Sequence, residues 1–288
     1  MVPARRPVFT SSLNVCEWDL DIEFADWTEL PEYPLVTLRG LLGYALKELL
    51  HPGVTNPPPD SMFWEVFKPA DGSPHPVLFN AAPGAGLAVV LRVRLSAFGP
   101  IADAESIGHL CIEALTHYGP RGFGPARMPY AVQACAAPAR VMPWSREWKP
   151  SGAGQFDLVL QTPAQLKWNN QPADESTPLP EIIAKGGLRR LRLLAERSGA
   201  AWEQDTEAVD AAIACTRVTR SALYRVADER TSTQDGDSVA LGGLVGRFEL
   251  EGCDELERLF RIASIVGVGK HTSQGNGRVR LVSRHPSE

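Results

Sequence analysis

The residues 267–277 read GVGKHTSQGNG: four glycines around Lys270 and His271. Glycine lets backbone approach a ligand or adopt a turn closed to other residues, and a lysine and a histidine beside it can hold or move protons. The spacing is not that of a phosphate loop, because no Lys-Ser/Thr pair follows the last glycine, and it is not a dinucleotide fingerprint opening a helix after a strand. A plain helix-to-strand turn and a loop that meets phosphates both fit. A second group lies on 37–51, TLRGLLGYALKELLH. Tyr44, Lys47, Glu48 and His51 follow i, i+3, i+4, i+7 spacing and so share one polar face. A phenol, an ammonium and an imidazole in one stripe suit acid–base work, with imidazole titrating near neutrality. Helix-end histidines also simply favour the macrodipole.

The elements that must position these groups follow from periodicity. Residues 16–24 alternate and predict a strand; 37–51 predict a helix with Leu38, Leu42, Ala45, Leu46 and Leu49 on one face, Thr37 as N-cap and Pro52-Gly53 as its stop. Strands are expected over 75–80, 86–97 and 128–135 and a helix over 103–117. The same order recurs: a strand at 155–161, a helix at 179–197 that Gly186-Gly187 threaten to break, strands at 216–226 and 239–250, a helix at 254–265 and a strand at 276–283. Two βαββαβ units predict an α+β chain of tandem ferredoxin-like (RRM-like) domains. The first is expected over 1–138, a Pro/Gly/Ser-rich linker over 139–153, and the second over 154–288 with the glycine loop before its last strand. YGPRGFGPAR at 118–127 stands at the same place in the first unit.

With 288 residues two domains are the natural expectation. The net charge of −5 excludes a protein that coats nucleic acid through its overall charge; any such contact must use a local basic surface. Acidic residues crowd 18–32 and 249–257, and KGGLRRLRLLAER at 185–197 is basic. Cys16, Cys111, Cys135, Cys215 and Cys253 are odd in number, widely spaced and without a CxxC pair, which argues against a disulfide framework and a cysteine zinc site. No HxH or HxxxH pair occurs. Neither a signal peptide nor an 18-residue apolar run is present, so a cytoplasmic protein is expected.

Gly267-Val268-Gly269, five residues including Lys270, then Gly275-Asn276-Gly277 before the last strand, resembles the C-terminal glycine-rich loop of the CRISPR RNA-processing endoribonucleases of the RAMP superfamily. LVTLRGLLGYALKELL, FWEVFKPADGSPHPVLF, LRVRLSAFGPIADAESIGHLCIEALTHYGPRGFGPARMPYAV, LQTPAQLKW, LRRLRLLAERSG and LGGLVGRFELEG resemble further segments of that family in the same order. Several relatives carry a cysteine cluster where this chain has HPGVTNPPPDS, so no metal and no cofactor is expected. The resemblance implies metal-independent cleavage of precursor CRISPR RNA within its repeats: a ribose 2′-OH attacks the adjacent phosphate and leaves a 2′,3′-cyclic phosphate and a 5′-OH. It implies a repeat hairpin as partner, held after cleavage, and other subunits of a CRISPR effector complex.

On that reading the catalytic candidates are His51, Tyr44, Lys47, Arg39 and His271, Arg39 to stabilise the phosphate, which arginine often binds bidentately, or to orient the 2′-OH. RNA contacts are expected from Gly267, Gly269, Lys270, Thr272, Ser273, Gln274, Gly275, Gly277 and Arg278, from Arg121 and Arg127, and from the cluster Arg189, Arg190 and Arg192. Trp144, Trp148 and Trp168 are candidates for base stacking, or packing residues near the domain junction. His75, His109, His117 and His285 are read as surface or packing residues. A catalytically inactive RNA-binding subunit is the alternative, and a two-domain enzyme for a small phosphorylated ligand is a third reading that explains the glycine loop alone.

Overall fold

The computed structural model describes residues 9–31, 34–67, 74–81, 86–135, 138–140, 142, 144–145, 148–227, 229–231 and 238–284. Two compact units divide the chain. One holds Leu13–Val141 with Ser273–Gly275; the other holds the residues through Ser12, Met142–Thr272 and Asn276 onward.

In the first unit β2 (Asn14–Leu30) leads to α1 (Pro34–Leu50), the short α2 (Met62–Phe67), β3 (Val77–Ala81), β4 (Gly86–Gly99), α3 (Ile101–Tyr118) and β5 (Tyr130–Ala134). The antiparallel sheet runs β3-β4-β2-β5, and a two-residue β6 (Ala139–Arg140) also pairs with β2. This is the ferredoxin-like order, with both helices connecting strands that are not neighbours. Alternation drives it: Trp18, Leu20, Ile22 and Phe24 point into the core, while Asp19, Asp21 and Glu23 meet Arg94, Arg92 and Gln133 on the other face.

The second unit repeats the plan. β7 (Gln155–Ala164), α4 (Leu179–Arg197), β11 (Arg217–Val226), β14 (Gly243–Glu251), α6 (Asp254–Val266) and β15 (Val279–Arg284) give the order β11-β14-β7-β15. The α+β tandem ferredoxin-like architecture expected from the sequence is therefore observed. Periodicity did not reveal the additions: β1 (Phe9–Ser11) pairs with β10 (Trp202–Gln204), α5 (Thr206–Ala214) follows, and short hairpins β8 (Lys167–Trp168)–β9 (Gln171–Pro172) and β12 (Glu229–Thr231)–β13 (Ser238–Ala240) complete the set. These strands have two or three residues, too few to carry a period.

Three readings change. Helix α1 starts at Pro34, not after an N-cap at Thr37, because Leu35 and Val36 join the buried face and proline suits a first helical turn. The 239–250 strand splits into β13 and β14. Gly186-Gly187 do not break α4, which runs unbroken from Leu179 to Arg197. Gly187 lies where α4 crosses α6: a Cβ there would sit 2.8 Å from the Ala263 Cα, whereas one on Gly186 would meet nothing within 4 Å. The stretch 139–153 is tied down at both ends. Ala139 and Arg140 pair with β2 in the first unit, while in the second Ser151 donates its N–H and hydroxyl to Glu257 and Trp144 is buried.

Two adjacent glycines thus make opposite predictions. Gly186→Ala should raise stability by about 0.5–1 kcal/mol through helix propensity, and Gly187→Ala should lower it by about 1–2 kcal/mol because the α4–α6 crossing must open. Urea denaturation of the two variants checks the sign; a stabilised Gly187→Ala would contradict the packing described.

Candidate active site

Helix α1 buries Leu35, Leu38, Leu41, Leu42, Ala45 and Leu46, which fixes the opposite side. Each fully buried leucine contributes roughly 1.5–3 kcal/mol, far more than any exposed pair on the polar face could oppose. Tyr44, Lys47, Glu48 and His51 therefore face outward. They line a cavity of about 580 Å³ with Pro52, Gly53, Val54, Thr55, Tyr118 and Arg121. His51 closes the last helical turn, its backbone N–H donating to Lys47 O at 2.8 Å, and its carbonyl accepts from Val54 at 3.1 Å. Pro52 ends the helix and the loop forms one wall. The Nε2 of His51 is buried and has no hydrogen-bond partner among the described residues. Tyr44 is 62% exposed.

Arg121 comes from the first glycine loop. Phe123, buried against Phe24 and Tyr130, anchors that loop, and its backbone exchanges hydrogen bonds with Met128 at 2.8 and 3.1 Å. Gly122 and Gly124 have φ of 88° and 69°, and Arg127 one of 48°. The Arg121 guanidinium donates to the Glu48 carboxylate and lies 5.6 Å from the Tyr118 ring centre. His117 Nε2 is 3.9 Å from the same carboxylate. With Arg121 mostly exposed the ion pair is worth below about 1 kcal/mol, so it orients Arg121 without locking it. Tyr118 carried no signal in the sequence beyond adjoining the loop.

Arg39 stands elsewhere. Its Nη2 donates to Phe67 O at 2.9 Å and lies 3.1 Å from the His75 ring, and its guanidinium stacks 4.5 Å over Phe67. It is outside the cavity wall and holds α2 to α1. His109 packs edge-on against Trp18. His285 lies outside the described residues.

The C-terminal glycine loop joins α6 to β15, as 119–129 joins α3 to β5, so the two loops occupy equivalent positions in the element order. Gly267, Gly269, Gly275 and Gly277 all have positive φ, between 64° and 92°. Gly267 ends α6, donating to Ala263 O at 2.9 Å. Gly277 donates to Pro163 O and accepts from Val268, both at 2.9 Å; a Cβ on it would fall 1.7 Å from the Val268 oxygen. Lys270 and Arg278 donate backbone N–H to Gln165 O and Thr162 Oγ1. These amides bind protein, so the glycines first make the loop foldable.

The side chains expected to meet RNA divide by exposure. Lys270 is exposed, and His271, Ser273 and Gln274 are half-buried; Thr272 and Arg278 are buried, Arg278 at 1%. Arg127 and Arg189 are exposed, and Arg192 pairs with Glu196 at 3.4 Å. Burial pushes the Arg190 guanidinium down to about 10, and its Nε and Nη2 have no partner among the described residues. Trp148 stacks with Arg258 at 5.0 Å in its own unit. Among the described residues no three His, Cys, Asp or Glu side chains gather as a metal site, and no helix is long and apolar enough to cross a membrane.

Comparison with known proteins agrees with the architecture. Residues 158–279 match the family model of the CRISPR-associated endoribonuclease Cas6. Thermus thermophilus Cas6 aligns with a TM-score of 0.58 at 16% identity, covering 94% of this chain and 99% of that one. A product complex of the same Cas6 gives 0.62 at 16% identity over 93% and 99%, and a product complex of a second Cas6 gives 0.56 at 19% over 93% and 100%. No curated protein matches the sequence. The resemblance read from the motifs is borne out: the Cas6 pattern lies in the second unit, and the Cas6 fold spans nearly the whole chain.

His271 sits at φ 56° with its ring half-buried. Burial first, and then Lys270 beside it, hold its pKa below the ordinary 6.5. Below 6.5 the unfolded chain takes up a proton that the folded one resists, so this residue's share of stability is complete above 6.5 and is lost as pH falls through the lowered value. His271→Asn, which tolerates positive φ, should keep the fold and flatten stability over that interval. Urea midpoints across pH check it; an unchanged slope would rule the account out.

Proposed function

We propose that this chain, with the Cas6 endoribonuclease pattern in its second unit and the Cas6 fold throughout, is a metal-independent endoribonuclease that cuts precursor CRISPR RNA within its repeats. The observation that carries the reading is the cavity at the end of α1, where the imidazole of His51 shares one wall with a phenol, an ammonium and a guanidinium.

The chemistry asks for a base, an acid and cations, and each has a residue. His51 takes the proton of the attacking 2′-OH on its imidazole. The new O2′–P bond places extra charge on the phosphoryl oxygens, which Lys47 and Arg121 offset. The Tyr44 hydroxyl gives a proton to the 5′-oxygen as the P–O5′ bond breaks. A 2′,3′-cyclic phosphate and a 5′-OH result, without water or a metal entering the step. Arg39 supports α1 from outside the cavity. Exposed Arg127 in the first unit, and exposed Lys270 and Arg189 in the second, offer cations to a hairpin backbone, with His271, Ser273 and Gln274 reaching bases or phosphates from the loop. Buried Thr272 and Arg278, and the loop glycines, keep the loop in shape. The partners are a repeat stem-loop and other subunits of a CRISPR complex, and the cut product stays bound.

One observation favours a second reading. Glu48 puts a carboxylate into the same cavity and neutralises Arg121, which suits a subunit that binds RNA without cutting it.

Cleavage of the cognate repeat RNA in EDTA separates the two. His51→Ala should slow single-turnover cleavage by about 10²–10⁴-fold while hairpin affinity stays within about threefold. Lys270→Ala should weaken binding and reduce the slope of log affinity against log salt by about one. A wild type that binds the hairpin tightly and never cuts it would establish the non-cutting reading.

A further inference from the structure

The five cysteines show no pairing by sequence spacing, yet the fold brings two together. Cys215 caps the C-terminus of α5, and Cys253 is the N-cap residue of α6. Between them runs the β11–β14 hairpin, whose outermost ladder pair is Arg217 opposite Glu251. Two further residues along each strand place position 215 opposite 253, so the backbone register, not a chance rotamer, sets the encounter. The two sulfurs are 2.7 Å apart, inside ordinary non-bonded contact. The Cys253 N–H donates to Cys215 Sγ at 3.3 Å, and Cys215 Sγ lies 2.8 Å from Ala212 O. Cys215 is exposed and Cys253 half-buried, whereas Cys16 and Cys111 are buried.

We propose that Cys215 and Cys253 are a modification site: a dithiol that closes reversibly to an intramolecular disulfide by exchange with a low-molecular-weight disulfide. One thiolate attacks a sulfur of R–S–S–R, forming a mixed disulfide and releasing the first R–SH. The second thiolate attacks the protein sulfur of that mixed disulfide, closing the Cys215–Cys253 bond and releasing the second R–SH. The cysteine pair loses two electrons and two protons, and the small disulfide gains both. Burial and the neighbouring Cys253 push the Cys215 thiol up to about 11, so closure should be slow at neutral pH and faster in mild alkali, as the thiolate fraction grows. The bond would tie the start of β11 to the start of α6 and hold the hairpin closed at the end where both helices meet it. Its chief effect is on the unfolded chain, which loses the freedom of the loop from 215 to 253.

The full-length protein is incubated with glutathione disulfide in mild alkali, alkylated under denaturing conditions and mapped by peptide mass. The expected product is a peptide cross-linked between Cys215 and Cys253, reversed by dithiothreitol. Melting temperature should rise by about 5 °C or more on oxidation and not rise in Cys215→Ser. Exposed Cys135 serves as an internal control, carrying a glutathione adduct that shows the reagent acted. Separate adducts on Cys215 and Cys253, or two free thiols there beside a modified Cys135, would overturn the proposal. Wild-type mapping decides this even if the serine variant fails to fold.

Discussion

Burial of the leucine face of α1 is the constraint on which the candidate site depends. A helix with Leu35, Leu38, Leu41, Leu42 and Leu46 on one side has a single stable rotation against an apolar sheet. Turning it by one residue would expose two or three leucines and bury a lysine or glutamate. No ion pair on the outer face approaches that cost. The phenol, ammonium and imidazole stand together because the leucines leave them nowhere else to go.

Glycine makes a comparable contribution at the loops. Both units must turn from a helix into the last strand of a sheet, and both do so with positive-φ backbone closed by its own hydrogen bonds. In the second unit the amides of Gly267, Val268, Lys270, Gly277 and Arg278 all donate to protein acceptors. The chemistry of the loop then rests on side chains mounted on a rigid frame. In the first unit the frame is Phe123, and the side chain it delivers is Arg121, which reaches the end of α1 and meets Glu48 there.

Charge is handled locally. The outer face of the first sheet sets Asp19, Asp21 and Glu17 against Arg92 and Arg94. That of the second sets Asp157, Glu249 and Glu251 against Arg217, Arg220, Arg247 and Arg284. Much of the arginine is thus paired within the sheets. Among the described residues, exposed cations outside these sheet pairs include Lys270 and Arg127 on loops and Arg189 on a helix face.

The sequence by itself determined the two βαββαβ units, the polar stripe of α1 and the paired glycine loops, because period-2 and period-3.6 patterns and glycine placement are local properties. It also carried the family resemblance, since motif order survives where overall identity is low. Only the tertiary structure decided which cations stay accessible. Arg190 and Arg278 look like their neighbours in the sequence, yet packing buries Arg278 and the guanidinium end of Arg190, while Arg189 and Lys270 remain outside. It gave Arg39 its neighbours, the Phe67 carbonyl and ring, through a fold contact 28 residues along the chain. It brought Arg121 to Glu48 across 73 residues and Cys215 to Cys253 across 38. Such encounters depend on strand register and on the path of the chain between elements, and neither leaves a periodic trace in the residues themselves.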